Sequence, residues 1–179
     1  MKYLLFTLFC FSFSFSQSPQ RTMKKIGNDP IIFIDSVNVD PSEMQKYDPN
    51  FISSVTVYKD KEAKDLFGDD AKDGVIYIET KTFSRNRFQN YFKSKSPEYE
   101  SLLKKESNDD KFQYILNDKI LYENYEGDLA SINDEIFKGV QILNSEELSK
   151  NYKISDKEYG ILIISNVPKN LYKGKEKFK

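Results

Sequence analysis

Hydrophobic and polar positions alternate most clearly between residues 51 and 81, and this stretch predicts a strand, a helix and a second strand. Residues 54–58 place Val55 and Val57 on one face and polar side chains on the other, which predicts a half-buried strand. Residues 75–78 are apolar on both faces, which predicts a strand that is buried on both sides. The two strands predict a sheet, and the segment between them must connect and cover it.

The segment between these strands carries the pattern of a short amphipathic helix. Asp60 stands where an N-cap is expected, because its carboxylate could accept from the free N–H groups of the first turn. Ala63, Leu66 and Phe67 follow at i, i+3 and i+4, an apolar stripe that could dock on a sheet. Gly68 is expected at the C-cap, where a left-handed residue is favoured.

An earlier apolar run and two proline turns lead into this stretch. Ile31–Val37 predicts the opening strand. Asp40-Pro41 and Asp48-Pro49 each join an N-cap residue to proline at the first helical position, so two short helical turns are expected. These turns should bring Phe51 and Ile52 under the sheet.

The same order of elements returns from Phe112 onward. Tyr114–Asp118 parallels Ile32–Ser36, and Ile136–Glu158 aligns without a gap on Phe51–Asp73. One inserted residue then brings Gly160 onto Gly74, so that the run of residues 160–164 repeats the closing strand. The pattern predicts a tandem duplication; the alternative is a coincidence of ordinary strand and helix punctuation.

The second copy repeats the hydrophobic and polar pattern of the first copy, although most of its residues differ. Val140 and Ile142 fall on the two valines of the first strand. Ser145 takes the capping place, with acidic residues in the first turn. Leu148 and Tyr152 keep the helical stripe at i and i+4.

The ordered motifs of the first copy resemble the second half of the plug domain of TonB-dependent outer-membrane transporters, in the form common in Bacteroidota. The opening strand ends in Asp35, with Ser36 in place of the family's glycine, and Tyr58 stands where the family usually has leucine. The other matching positions are Phe51–Asp60, Ala63, Leu66, Phe67, Gly68, Gly74, Val75, Ile76, Ile78, Thr80 and Lys81. The resemblance covers Ile31–Lys81 and implies a plug-like module, apparently in two copies and without the barrel. The first half of the plug and the segment that engages the energy-coupling protein have no counterpart, so energy-coupled transport by this chain is not implied.

The expected fold is α+β, with two plug-like βαβαβ units, each a small mixed sheet of three strands covered by short helices. The predicted divisions are a signal peptide at 1–16, a disordered lead-in at 17–29, unit 1 at 30–81, a linker and helix at 82–110, unit 2 at 111–167 and a basic tail at 168–179. Strand order, a sheet shared between the units and the oligomeric state are left open. The expected core residues are Ile32, Ile34, Val55, Val57, Phe67, Ile76 and Ile78 in unit 1, and Ile115, Val140, Ile142, Leu148, Tyr152, Leu162 and Ile164 in unit 2.

The segment between the units predicts two helices. Phe88, Tyr91 and Phe92 fall at i, i+3 and i+4 in the first. Ser96-Pro97 opens the second, which has acidic residues in its first turn and lysines in its last. Aromatic residues between cations can also bind nucleic acid, but an exported chain gives that interpretation little support, and no nucleic-acid partner is expected.

Export follows from the N-terminus, where Lys2 precedes an apolar, phenylalanine-rich stretch too short to span a membrane. Cleavage is expected near Ser16. Bulky residues flank Cys10, which disfavours lipidation there, although that alternative stays open. After cleavage the chain has neither cysteine nor histidine. That composition excludes disulfides, thiol nucleophiles, His/Cys zinc sites and histidine acid–base chemistry.

The expected function is a non-catalytic binding module of the periplasm or outer membrane, with an envelope protein as partner and no transmembrane segment once the signal is removed. A free strand edge is the expected route to that partner. No catalytic, cofactor or metal residue is assigned, and no cofactor is expected. The alternatives are an accessory role in outer-membrane nutrient uptake, a carboxylate hydrolase, or a calcium module using the acidic turns at Asp69, Asp70 and Asp73 and at Asn108–Asp110. Peripheral association of the lysine-rich tail with the outer membrane also stays open.

Overall fold

Unit 1 is a four-stranded mixed sheet with one helix on a face. The structure, a computed structural model, describes residues 26–106 and 109–166; the predicted signal peptide, most of the lead-in and the basic tail lie outside them. In chain order the elements are β1 (Ile31–Ile34), β2 (Val37–Val39), β3 (Ile52–Tyr58), α1 (Asp60–Phe67) and β4 (Val75–Thr80). Short 3-10 turns at Glu43–Lys46, Pro49–Phe51 and Asp69–Asp73 complete the unit.

Two helices follow and lead into unit 2. They are α2 (Lys81–Lys95) and α3 (Pro97–Lys105), as the sequence predicts. Unit 2 then consists of β5 (Phe112–Leu116), β6 (Lys119–Ile120), α4 (Glu126–Ala130), β7 (Phe137–Asn144), α5 (Ser145–Tyr152) and β8 (Tyr159–Ser165).

The two sheets have the same strand order and the same strand directions. The orders are β2-β1-β4-β3 and β6-β5-β8-β7, with the central pair parallel and both outer pairs antiparallel. The α+β class with two small mixed sheets and short helices is therefore confirmed, and the units do not share a sheet.

Each sheet has four strands where three were predicted, because the opening apolar run folds into a hairpin. Asp35 and Ser36 adopt positive φ values of 50° and 69°, which suits a tight two-residue hairpin turn. The carboxylate of Asp35 accepts from the backbone N–H and the hydroxyl of Thr80, both at 2.7 Å. Asn117 turns the second hairpin with φ 53° and accepts from the N–H of Ser165 at 3.0 Å, so the same turn-to-strand contact recurs.

Strand register fixes the equivalence of the two units and corrects the predicted alignment. Val55 pairs with Ile78, and Val140 pairs with Ile163, so both strands carry the same numbering offset. A register irregularity also falls at the same place in β3 and β7. The inserted residue expected before Gly160 is therefore wrong: Gly160 matches Val75, and Tyr159 occupies the place of Gly74.

Both helix caps lie one residue earlier than predicted. The N-cap positions are Lys59 and Asn144, not Asp60 and Ser145. Asn144 forms a capping box with Glu147, whereas Lys59 offers no side-chain acceptor, so α1 relies on Asp60 and Glu62 in its first turn. The predicted C-cap at Gly68 is confirmed, with φ 87°.

The central strands form the core as predicted, but two of the expected core residues are exposed. Ile32, Ile34, Ile76, Ile78, Ile115 and Leu148 are buried, and Val57, Phe67, Val140, Ile142, Tyr152 and Leu162 are half-buried. Val55 and Ile164 are exposed. Ile164 lies opposite Gly139, which has no side chain to cover it.

The largest hydrophobic cluster lies between sheet 2 and the two helices that precede it. Residues of α2, α3 and the segment before β7 pack on one face of the sheet. Their buried members are Phe88, Phe92, Tyr99, Leu102, Phe112, Tyr114, Leu121, Leu129, Ile132, Ile136, Ile161 and Ile163. Helix α5 covers the opposite face, so sheet 2 is covered on both sides by helices.

Candidate binding surface

The loops that enter β3 and β7 have matching backbone geometry. In unit 1, the N–H of Phe51 donates to the carbonyl of Asp48 at 3.0 Å, and the Asp48 carboxylate accepts from the N–H of Asn50 at 2.9 Å. In unit 2, the N–H of Ile136 donates to the carbonyl of Asn133 at 3.2 Å, and the Asn133 side chain accepts from the following turn in the same way. The N-cap role predicted for Asp48 is thus confirmed, and the same turn recurs before β7.

These matching loops place three apolar side chains at equivalent positions in each unit. Met44, Tyr47 and Phe51 in unit 1 have the spacing of Leu129, Ile132 and Ile136 in unit 2. The backbone bonds also match, because the N–H of Tyr47 donates to the carbonyl of Met44 as that of Ile132 donates to the carbonyl of Leu129. Each set lies beside the first strand residues of its edge strand, β3 or β7.

Burial separates Tyr47 and Phe51 from their equivalents in unit 2, whereas Met44 is half-buried against the buried isoleucines of sheet 1. Leu129, Ile132 and Ile136 are 0%, 4% and 8% exposed, beneath the aromatic side chains of α2 and α3. Tyr47 and Phe51 are 38% and 64% exposed. The expectation that Phe51 lies under the sheet is therefore wrong, although Ile52 does pack against the buried isoleucines.

The strand next to these residues follows the same contrast. Val140 in unit 2 packs against the cluster of α2 and α3, whereas Val55 in unit 1 is 38% exposed. We call Tyr47, Phe51 and Val55 the exposed apolar patch. Among the described residues, no helix covers this layer of unit 1 as α2 and α3 cover its equivalent in unit 2.

The position of α2 explains why unit 1 is left uncovered. Thr80 caps the helix directly after β4, with its hydroxyl accepting from the N–H of Phe83 at 3.2 Å. Ser84 then faces sheet 1 and bonds the hydroxyl of Ser53 at 2.6 Å. Phe88 and Phe92, one and two turns further on, are buried in the cluster of sheet 2. Among the described residues, the first two turns of the helix hold it on unit 1, through Ser84 and through the ion pair of Arg87 with Glu79, and the rest of the helix covers unit 2.

Strand β3 adds an open edge beside the patch. Among the described residues it pairs only with β4, and its sequence Ile52–Tyr58 contains neither proline nor charge. Such residues are the usual protection of an edge strand, and β7 has Lys138. Helix α4 lies against the start of β3, because a Cβ at Gly127 would be 2.7 Å from the carbonyl oxygen of Ser53. The free edge therefore begins after Ser53.

A polar groove of about 330 Å³ lies on the other face of sheet 1. Its floor holds Glu79, whose buried carboxylate bonds Arg87 at 2.7 Å and accepts from the hydroxyl of Ser84 at 2.9 Å. Burial, and then the charge of Glu62, raise the pKa of Tyr58 at the groove wall. The remaining lining residues are Ser54, Thr56, Tyr77, Gly127 and Ser131. The groove can form hydrogen bonds, but its carboxylate is already neutralised by a guanidinium.

A buried ionic network joins α2 to unit 2. Arg85 bonds Asp109 at 3.2 Å and Glu126 at 2.9 Å, and both carboxylates are almost fully buried. Asp109 also accepts from Gln89 and Tyr114. The second carboxylate oxygen of Glu126 has no hydrogen-bond partner in the structure. The network fixes the helix against sheet 2.

The acidic turns considered for calcium do not converge on one site. Asp69 and Asp70 are exposed, and Asp73 uses its backbone carbonyl to accept from the N–H of Gly27. Asp109 is bound to Arg85, and Asn108 lies outside the described residues. Within residues 26–106 and 109–166, no group of three or more His, Cys, Asp or Glu side chains is placed to hold a metal ion.

Comparisons with known proteins add no family to this geometry. No protein-family model, no curated protein and no solved structure matches the chain. Among the described residues, every helix is too short or too polar to cross a membrane.

The exposed apolar patch could not be identified from the alignment that begins at Phe51. The missed signal lies just upstream, where Met44, Tyr47 and Phe51 have the spacing of Leu129, Ile132 and Ile136. Within the part of the chain that the structure describes, no aromatic helix precedes the first set. A comparison of the residues that precede each set would have indicated which unit is left uncovered.

Proposed function

We propose that the chain is a non-catalytic binding module, exported to the periplasm or held at the outer membrane, in which unit 1 docks an envelope protein. The module consists of two plug-like units that arose by tandem duplication. Unit 2 is closed by its own helices, and unit 1 keeps the equivalent layer free for a partner.

The observation that carries this proposal is the difference between Phe51 and Ile136, which are 64% and 8% exposed on equivalent turns. One copy buries this apolar side chain, and the other exposes it beside an edge strand without charge. Such an arrangement is typical of an interaction surface. A role in outer-membrane nutrient uptake would be one setting for such a module, and the plug resemblance favours it over catalysis.

The proposal is tested by retention of an envelope protein on immobilised chain lacking residues 1–16. Wild type, Phe51→Asp and the control Leu66→Asp are compared with extract of the native envelope. Like Phe51, Leu66 is an exposed apolar residue, but it lies on α1 at the other face of the sheet. We expect one protein to be retained by wild type and by Leu66→Asp and to be lost with Phe51→Asp. Equal retention by all three, or none by wild type, would contradict the proposal.

A further inference from the structure

We infer that the exposed apolar patch receives a basic amphipathic helix with an aromatic stripe, presented by the partner protein. This inference rests on the proposed function and specifies the occupant. Its basis is that unit 2 contains the same layer in its occupied form. Helix α2 therefore provides an internal template for what fits there.

The aromatic side chains of α2 make the contacts that unit 1 lacks. Phe92 stacks on Phe137 with ring centroids 6.0 Å apart, and Tyr91 meets the same ring edge-on at 5.6 Å. Phe137 is the first residue of β7, and its equivalent in unit 1 is Ile52, directly after Phe51. A partner helix with rings at i, i+3 and i+4 would place them over the same row.

Two cations of α2 pair with acids in the segment between β6 and β7, whereas Arg87 pairs with Glu79 of unit 1. The helix carries five basic residues and no acidic residue: Lys81, Arg85, Arg87, Lys93 and Lys95. Lys95 bonds Asp134 at 2.8 Å, just before β7, and Arg85 bonds Glu126 at 2.9 Å, at the first residue of α4. Hydrogen bonds from Lys95 and then Tyr91 hold the pKa of Asp134 below its usual range. The layer of unit 2 is thus acidic, and the helix that covers it is basic.

The loop of unit 1 has the same acidic character and no such helix. Asp40, Glu43 and Asp48 lie within it, and its one cation, Lys46, is bonded to Glu43. The backbone N–H of Ser42 lowers the pKa of Asp40, and an aspartate is ionised at neutral pH even without that shift. The net negative charge beside an apolar patch favours a helix with lysine or arginine on its flanks.

A second copy of the chain would not supply this helix. Phe88 and Phe92 of α2 are buried in their own unit, and Tyr99 of α3 is buried with them. Presenting them to another copy would expose the largest cluster of the molecule. Helices α2 and α3 of a second copy are therefore not the occupant, and we place the occupant on a different protein.

The test uses a fluorescent synthetic peptide with the sequence of α2, 15 residues long, added to the chain lacking residues 1–16. Fluorescence anisotropy is measured with wild type, Phe51→Asp and Leu66→Asp. A second peptide carries serine in place of Phe88 and Phe92. We expect saturable binding by wild type and Leu66→Asp, and binding about tenfold weaker or more with Phe51→Asp or with the second peptide. Binding should also weaken as salt rises from about 0.05 M to about 0.5 M.

Absence of saturable binding by wild type, or binding that is insensitive to Phe51→Asp, would overturn the inference. So would equal binding of the peptide without its phenylalanines. If the envelope extract gives a protein that depends on Phe51 but this peptide does not bind, the helical occupant is wrong and the proposed function stands. If neither binds, both fail.

Discussion

Truncation of the two equivalent residues Ile136 and Phe51 should have very different effects on stability. Ile136→Ala removes three buried carbons, worth about 2.4 kcal/mol at about 0.8 kcal/mol for each, and the residual cavity raises the expected cost to about 3–4 kcal/mol. Phe51 is 64% exposed, so only about a third of a burial worth about 1.5–3 kcal/mol is at stake. Phe51→Ala should therefore cost about 0.5–1 kcal/mol.

Urea unfolding of the chain lacking residues 1–16 measures both changes. The free energy of unfolding in water is obtained by linear extrapolation, and an unchanged slope shows that each variant exposes the same surface on unfolding. The expected result is a difference of about 2 kcal/mol or more between Ile136→Ala and Phe51→Ala. If Phe51→Ala costs as much as Ile136→Ala, the layer of unit 1 is covered in solution, and the reasoning from the two units fails.

Three further predictions concern the turn before β4, the ionic network and two half-buried tyrosines. Gly74→Val should destabilise the chain by about 2 kcal/mol or more, because φ is +94° and a Cβ would lie 2.8 Å from a side-chain carbon of Ile26; thermal melting measures this. Arg85→Met should cost about 3 kcal/mol in urea unfolding, because it leaves two buried carboxylates without their cation. The free energy of unfolding should fall as pH rises from about 10 to 12, because burial raises the pKa of Tyr91 and Tyr125 to about 12 in the folded state. The stability that these neutral tyrosines contribute is complete below the unfolded pKa and is lost as they ionise. Urea unfolding at graded pH measures the slope.

Each of these predictions has a control or an outcome that contradicts it. The control Gly139→Ala should leave the melting temperature unchanged, since no atom lies within 4 Å of the added Cβ. If both glycine variants lower the melting temperature equally, the positive φ of Gly74 is not the cause. Lys61→Met removes an exposed pair with Asp65 and should cost under about 0.5 kcal/mol; a similar loss for Arg85→Met would show that the network is not buried in solution. A flat stability profile above pH 10 would mean that the tyrosines ionise alike in both states.

The pattern of the sequence predicted the elements well where local chemistry decides them. Alternation located β3, the apolar run located β4, and the glycine after α1 located its C-cap. These signals are local, because the face that a strand residue prefers and the tolerance of a residue for positive φ both depend on its own side chain. The prediction of one opening strand was wrong, because the pattern placed Asp35 and Ser36 in the strand. Their short polar side chains tolerate the positive φ of a tight hairpin turn.

Register and covering layers could not be predicted, because they depend on contacts between distant residues. The glycines at 74 and 160 suggested an insertion, but cross-strand pairing aligns Gly160 with Val75. The aromatic stripe of α2 was visible in the sequence, whereas its choice of sheet was not. That choice follows from Phe137 and the acids near Arg85, all of them far along the chain.

The candidate surface was therefore predicted only in part. A free strand edge was expected, and β3 supplies one among the described residues. The exposure of Phe51 was not expected, because the turn at Asp48 pointed it toward the sheet. The comparison with Ile136, which is buried on the same turn, shows that the described residues leave this layer of unit 1 exposed.

Thiol labelling of paired cysteine variants tests most directly that unit 1 is an open copy of a closed unit 2. The only cysteine of the sequence is Cys10, so the chain lacking residues 1–16 offers a background without thiols. Phe51→Cys and Ile136→Cys are each reacted with a maleimide, alone and with the α2 peptide. We expect position 51 to react at least about tenfold faster than position 136, and the peptide to slow labelling at position 51 alone. Equal labelling rates at the two positions would contradict the account.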